Sequence, residues 1–258
     1  MSNTRFVLNN FVDAGTIKNG SGGGAPALDE TSPFLMTRTQ NGDRYSLWKT
    51  SSAGPSFYYD IDLGSAKSID VAAWLGFSTI PANDILTVLV QYASSYYPGA
   101  WTNFATAGPI VGQRDIGLVV ASPVSARYWR FKVTVGTATG ITVGRMLLGS
   151  TVTYDLGGIH SPGGVENHFQ NRLEQVMEDG SMNLNALGFS GADFAFPFNK
   201  VPTATRSKMR TIAAEEGSVV VVNADDEVYE VVITRGMASV GRHTSNLFDV
   251  GLEAKRLP

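Results

Sequence analysis

The sequence predicts an all-β chain of two domains, a β-sandwich followed by a second, small β-sandwich that carries one helix. Three observations predict it. Short runs rich in β-branched and aromatic residues recur along the chain, each bounded by Gly, Pro, Asn, Asp or Ser. Several alternate with period two: Arg130, Lys132 and Thr134 interleave with Phe131, Val133 and Val135, as in a half-buried antiparallel strand. No amphipathic helical pattern precedes residue 160, and 258 residues suffice for two separate cores.

The elements follow in order. Arg5 to Val12 is an apolar opening run, and the glycine-rich KNGSGGGAPALDE after it has no periodicity and reads as a flexible connection. Strand candidates are Ser56 to Leu63, Ser68 to Phe77, Ile85 to Tyr92, Ala126 to Val135 and Ile141 to Leu148. In YYDIDLG, alternation places Tyr59, Ile61 and Leu63 on one face and Tyr58, Asp60 and Asp62 on the other, with Gly64 free to leave the strand. In ARYWRFKV, Trp129, Phe131 and Val133 form the core set, opposite Tyr128, Arg130 and Lys132.

The stretch YDLGGIHSPGG, Tyr154 to Gly164, reads as the joint between domains, which are therefore expected at 1–152 and 153–258. Beyond it, Gly180 to Phe198 mixes apolar residues with turns. A helix is expected at about 203–216: Thr203 or Thr205 caps it, Met209, Ile212 and Ala213 make its apolar stripe, and Gly217 ends it. Ser218 to Val222 and Tyr229 to Thr234 form a hairpin around the acidic turn Asp225 to Glu227, and Leu247 to Ala254 closes the domain.

Composition and motifs exclude several functions. Only 17% of residues are charged and there is no cysteine, so neither a disulfide framework nor thiolate chemistry is expected. The longest apolar runs fall far short of a bilayer-spanning helix, and Met1 is not followed by a Sec-type signal. No basic stripe is clustered for phosphate neutralisation, which argues against a nucleic-acid partner. His160, His168 and His243 lack metal-site spacing, and Asp225, Asp226 and Glu227 lack the pattern of a calcium loop. No nucleophile elbow occurs, and Glu30 is the sole glutamate of the front half; the expectation is no enzyme, no cofactor and no metal.

The order of SLWKT with Trp48, YYDIDLG, an apolar strand to Phe77, ILTVLVQYAS, a turn with Trp101, ARYWRFKV and ITVGRMLLGS resembles the discoidin or coagulation-factor C-domain family over roughly residues 40–150. The resemblance implies a galactose-binding-like, eight-stranded jelly roll in which Trp101 packs inward. The family's frequent terminal disulfide is absent, and the segment before Trp48 is unusually long. In SSYYPGAWTNF, the adjacent Tyr96 and Tyr97 cannot both face one side of a sheet, and Pro98-Gly99 makes a turn. They are the candidate ligand-binding residues, suited to stacking on a sugar or to a protein contact, the alternative being turn tyrosines that lie on the surface without a partner.

The second half, an arginine-containing helix, the VVVVNADDEVYEVVI hairpin and a closing LFDVGLEAKRL strand, is similar to β-sandwiches of minor-tail or distal-tail proteins of tailed bacteriophages. That resemblance implies a virion component of the tail or baseplate, made in the bacterial host cytoplasm, with other tail proteins as partners. A homo-oligomer is expected through exposed edges of the strands at 218–222 and 229–234. The alternative is an adhesin that recognises a cell-surface glycan.

Overall fold

The computed structural model of the chain describes residues 5–18, 35–40, 48–49, 56–75, 86–96, 100–110, 116–135, 142–151, 165–176, 182–215, 218–222, 227–238, 242–244 and 247–256. Side chains at 165–202 and at most positions beyond 233 also lie outside this description. The glycine-rich tract and the joint at 154–164, with His160, fall outside it as well. The chain divides into two compact units. One comprises Asn9–Thr153 and Asp226–Val228; the other comprises Met1–Leu8, Tyr154–Asp225 and Tyr229–Pro258.

Among the described residues the architecture is antiparallel β with a single α-helix. Strand β1 (Arg5–Val7) opens the chain but pairs with Ser218–Val222, so it belongs to the sheet of the second unit. The front unit is built from β2 (Thr16–Ile17), a short 3-10 helix (Met36–Gln40), β3 (Trp48–Lys49), β4 (Ser56–Leu75), β5 (Leu86–Ala93), β6 (Thr102–Ile110), β7 (Ile116–Val135), β8 (Thr142–Val143) and β9 (Arg145–Gly149). Its main sheet runs β2-β4-β7-β5-β6, with β9 added along the second half of β4; β3 and β8 form a separate pair.

Two strand candidates, Ser56 to Leu63 and Ser68 to Phe77, are one element. Gly64 does not release the chain; it bends it. Its φ of 73° is in the left-handed region and its amide donates to Asp62 Oδ1 at 2.8 Å. The ladder to β7 skips there, between Asp62 and Lys67, and then resumes. A bulge of this kind bends a strand without ending it. The strand expected from Ala126 likewise starts earlier, at Ile116, and TNFATAGPI forms a strand that was not expected at all.

Alternation decides what is buried. Tyr59, Ile61 and Leu63 of β4 and Trp129, Phe131 and Val133 of β7 all lie in the core, as the sequence predicts. Trp74 stacks on Phe131 (centroids 6.0 Å apart, 14° between planes), and Tyr59 meets Phe131 edge-on at 6.3 Å. The Tyr59 hydroxyl shares a 2.9 Å hydrogen bond with Thr39 Oγ1, and burial pushes its phenol well above the ordinary tyrosine range.

The irregular stretch before β2 is fastened by side chains. Asn10 Nδ2 donates to the Met146 carbonyl at 2.7 Å, while its Oδ1 accepts from the amides of Val12 and Leu148. Gln40 Nε2 donates to the carbonyls of Val12 and Gly15. These bonds stand in for the ladder that loop backbone lacks.

The second unit contains β10 (Val165–Val176), β11 (Met182–Pro202), α1 (Thr203–Ala213), β12 (Ser218–Val222), β13 (Val228–Ala238), β14 (Arg242–Thr244) and β15 (Leu247–Arg256). Its sheet runs β1-β12-β13-β15-β11-β10, with β14 beside β15. The helix starts at Thr203 as predicted and buries Met209 and Ile212 in a cluster with Phe6, Val219, Val221, Val231 and Leu252. Of the segment from Gly180 to Phe198, the described part, from Met182, lies within one long strand, β11. The expected open edges at 218–222 and 229–234 are corrected: β12 lies between β1 and β13, and β13 between β12 and β15. At the end of β15, Lys255 and Arg256 pair with Val232 and Val231 inside the ladder.

Candidate functional site

The face of the front sheet turned away from the core is set by register. β4 and β7 pair Tyr58 with Lys132, Asp60 with Arg130 and Asp62 with Tyr128, which puts two rings, two carboxylates and two cations on one patch. Directly opposed residues of an antiparallel pair sit close enough for their side chains to interact. β5 extends the patch, since Gln91 stands opposite Arg130, and the end of β5 leads into Tyr96.

Two bidentate ion pairs organise it. Arg130 donates from Nε to Asp60 Oδ1 at 2.7 Å and from Nη2 to Asp60 Oδ2 at 2.6 Å. Arg127 does the same for Asp62, at 2.7 and 2.9 Å, and Lys18 approaches Asp62 Oδ2 at 3.3 Å. Both carboxylates are buried, 5% exposed each, by the cations that cover them. The Arg127 hydrogen bonds, helped by the Gly64 amide and Lys18, hold the Asp62 carboxyl down at about 2 against the opposing effect of burial.

The aromatic rings pack around the guanidinium of Arg130, which lies 4.2 Å from the Trp101 ring centroid and 5.1 Å from that of Tyr58. Tyr96 meets Trp101 edge-on at 6.4 Å and Tyr128 at 5.8 Å, and its hydroxyl donates to Asp60 Oδ2 at 3.3 Å. Burial, reinforced by the Asp60 charge and that hydrogen bond, pushes the Tyr96 phenol up to about 12.

Tyr96 is therefore half-buried within the patch, while Tyr97 lies outside the described residues. The expectation that Trp101 packs inward is corrected. Its ring is half-buried and lies over Arg130 and edge-on to Tyr96, so its contacts are with the charged patch. Asp60 and Asp62, which alternation puts on one strand face, make cross-strand ion pairs, and Asp62 also accepts from the local Gly64 amide.

No family model matches the chain, and no curated protein matches it. Solved structures do. Chitosan-binding module 1 of a chitosanase/glucanase from Paenibacillus sp. IK-5 is 17% identical, over 55% of this chain and 99% of that module, with a TM-score of 0.44. The family 32 carbohydrate-binding module of C. perfringens NanJ, solved with galactose, is 13% identical over 56% of this chain and 98% of its own, with a TM-score of 0.43. A module from a family 31 glycoside hydrolase of Clostridium perfringens is 11% identical, over 55% of this chain and 98% of its own, with a TM-score of 0.45.

Tyr58, Trp101, Tyr128, Arg130 and Lys132 were missed as site residues by sequence reasoning. The signal was present as alternation, which already placed Tyr58, Asp60 and Asp62 opposite the core face of their strand. What alternation lacks is register, and register makes Asp60 the partner of Arg130. Among the described residues no group of three or more His, Asp or Glu is placed to hold a metal ion.

Proposed function

We propose that the front unit is a non-catalytic glycan-binding module, and that the chain carrying it is a structural component of a bacteriophage tail or baseplate. The observation supporting the first part is the half-buried grouping of Tyr58, Tyr96, Trp101 and Tyr128 around the Asp60–Arg130 and Asp62–Arg127 pairs. Aromatic rings receive the apolar face of a sugar, and a few fixed polar groups orient its hydroxyls. Both ion pairs are bidentate, so these polar groups are already in place before a ligand arrives. Tyr97, next in sequence to Tyr96, belongs to the proposal on sequence grounds.

The second part is supported by the sequence pattern of the second half. Neighbouring copies or other tail proteins would then meet its sheet at β1 or β10, the ends of the strand order. Mass spectrometry and reconstruction of purified particles test this placement; a particle that lacks the chain overturns it.

The glycan reading is tested by measuring retention of the full chain on immobilised bacterial surface polysaccharides. Trp101→Ala should abolish retention while lowering stability by no more than about 1 kcal/mol, as expected of a half-buried ring. Undiminished retention by a folded Trp101→Ala protein would refute the site.

A further inference from the structure

Resting on the glycan reading, we propose that this face selects an acidic glycan, one whose sugar rings carry carboxylates, and that Lys132 is the residue that takes the charge. The cations on the patch are Lys18, Arg127, Arg130 and Lys132, against the carboxylates of Asp60 and Asp62. Three of the four are committed: Arg130 to Asp60, and Arg127 and Lys18 to Asp62. Lys132 makes no ion pair among the described residues. Its ammonium stands 5.8 Å from the centroid of the Tyr58 ring, its directly opposed cross-strand partner.

The surroundings of Lys132 suit an anion bound through a sugar. Ser56 and Thr134, the next pair outward, offer hydroxyls 3.4 Å apart. On the inner side, the guanidinium of Arg130 is neutralised by Asp60 and lies against the Trp101 and Tyr58 rings, which leaves Lys132 as the uncompensated charge of the patch. The half-buried position of Lys132 weakens solvent screening, so a carboxylate there gains more than it would beside a fully exposed lysine. A neutral sugar needs no such charge, because hydroxyl or amide donors would serve it as well.

The probe is polygalacturonate, compared with the same polymer after its carboxylates are reduced to primary alcohols, using the full chain at two salt concentrations. The expected result is tighter binding to the charged polymer, weakened by salt. Lys132→Gln should cut the preference for the charged over the reduced polymer about tenfold, and Lys132→Arg should restore most of that preference. Equal affinity for both polymers, or a Lys132→Gln protein that keeps the preference, overturns the acidic-glycan proposal and leaves the glycan module standing. Failure of wild-type protein to bind either polymer overturns the acidic-glycan proposal, whereas the glycan reading falls only if retention on the bacterial surface polysaccharides also fails.

Discussion

The two faces of the β4–β7 pair come from the same residues in alternation, yet they are held by different physics. On the inner face Tyr59, Trp74, Trp129 and Phe131 are almost wholly removed from water, and their stability comes from area and packing. On the outer face the rings are half-buried and organised around charge, with each carboxylate covered by a guanidinium. The inner face therefore answers to volume and the outer face to geometry and pH. Along Tyr58–Leu63 and Tyr128–Val133, before the β4 bulge resets the alternation, an aromatic ring is structural or available according to its parity and not its type.

The difference is broken most severely from the inside. Trp129→Ala should cost about 3–5 kcal/mol, read as a lower denaturant midpoint, because it empties a fully buried site whose Nε1 also donates to the Ala126 carbonyl. A loss below 1 kcal/mol would mean the inner face is not the core. Next comes Asp60→Asn, which leaves the Arg130 guanidinium without its carboxylate and should cost about 2 kcal/mol. Asp60→Asn should also loosen the stack on Trp101, visible as a change in its fluorescence.

The smallest effect is expected from acid. Asp62 titrates near 2 when folded against 3.8 as its ordinary value, so its contribution to stability is complete above about pH 4 and fades as pH falls toward 2. Denaturant midpoints measured across that window should fall less steeply in Asp62→Asn than in wild type. Identical slopes would show that the Arg127 pair contributes nothing.

Much of this was legible in the sequence, for identifiable reasons. The core parity of Tyr59, Ile61, Trp129 and Phe131 follows from period-two alternation, and the helix from the stripe of Met209 and Ile212. β6 was not legible, because TNFATAGPI is built mainly from small and polar residues and carries a proline, as an edge strand tolerates. Gly64 was read as an exit because sequence cannot distinguish a turn from a bulge when both call for the left-handed conformation. The Asp60–Arg130 pair joins residues on strands far apart in the chain, and that distance is invisible to any local pattern. The interior placement of β12 had the same obstacle, since its cover, β1, comes from the other end of the sequence.

That cover carries a consequence for how the protein is made. Phe6 of β1 pairs with Val221 of β12, roughly 215 residues later, a separation of the kind that slows folding. During translation at typical speed, Arg5–Val7 waits roughly 10–40 s before its partner is synthesised. The front unit, complete at Thr153 but for Asp226–Val228, has time to assemble first. A short apolar strand thus rides unpaired ahead of a folded body on the nascent chain, the interval in which a chaperone or a neighbouring ribosome's product would compete for it.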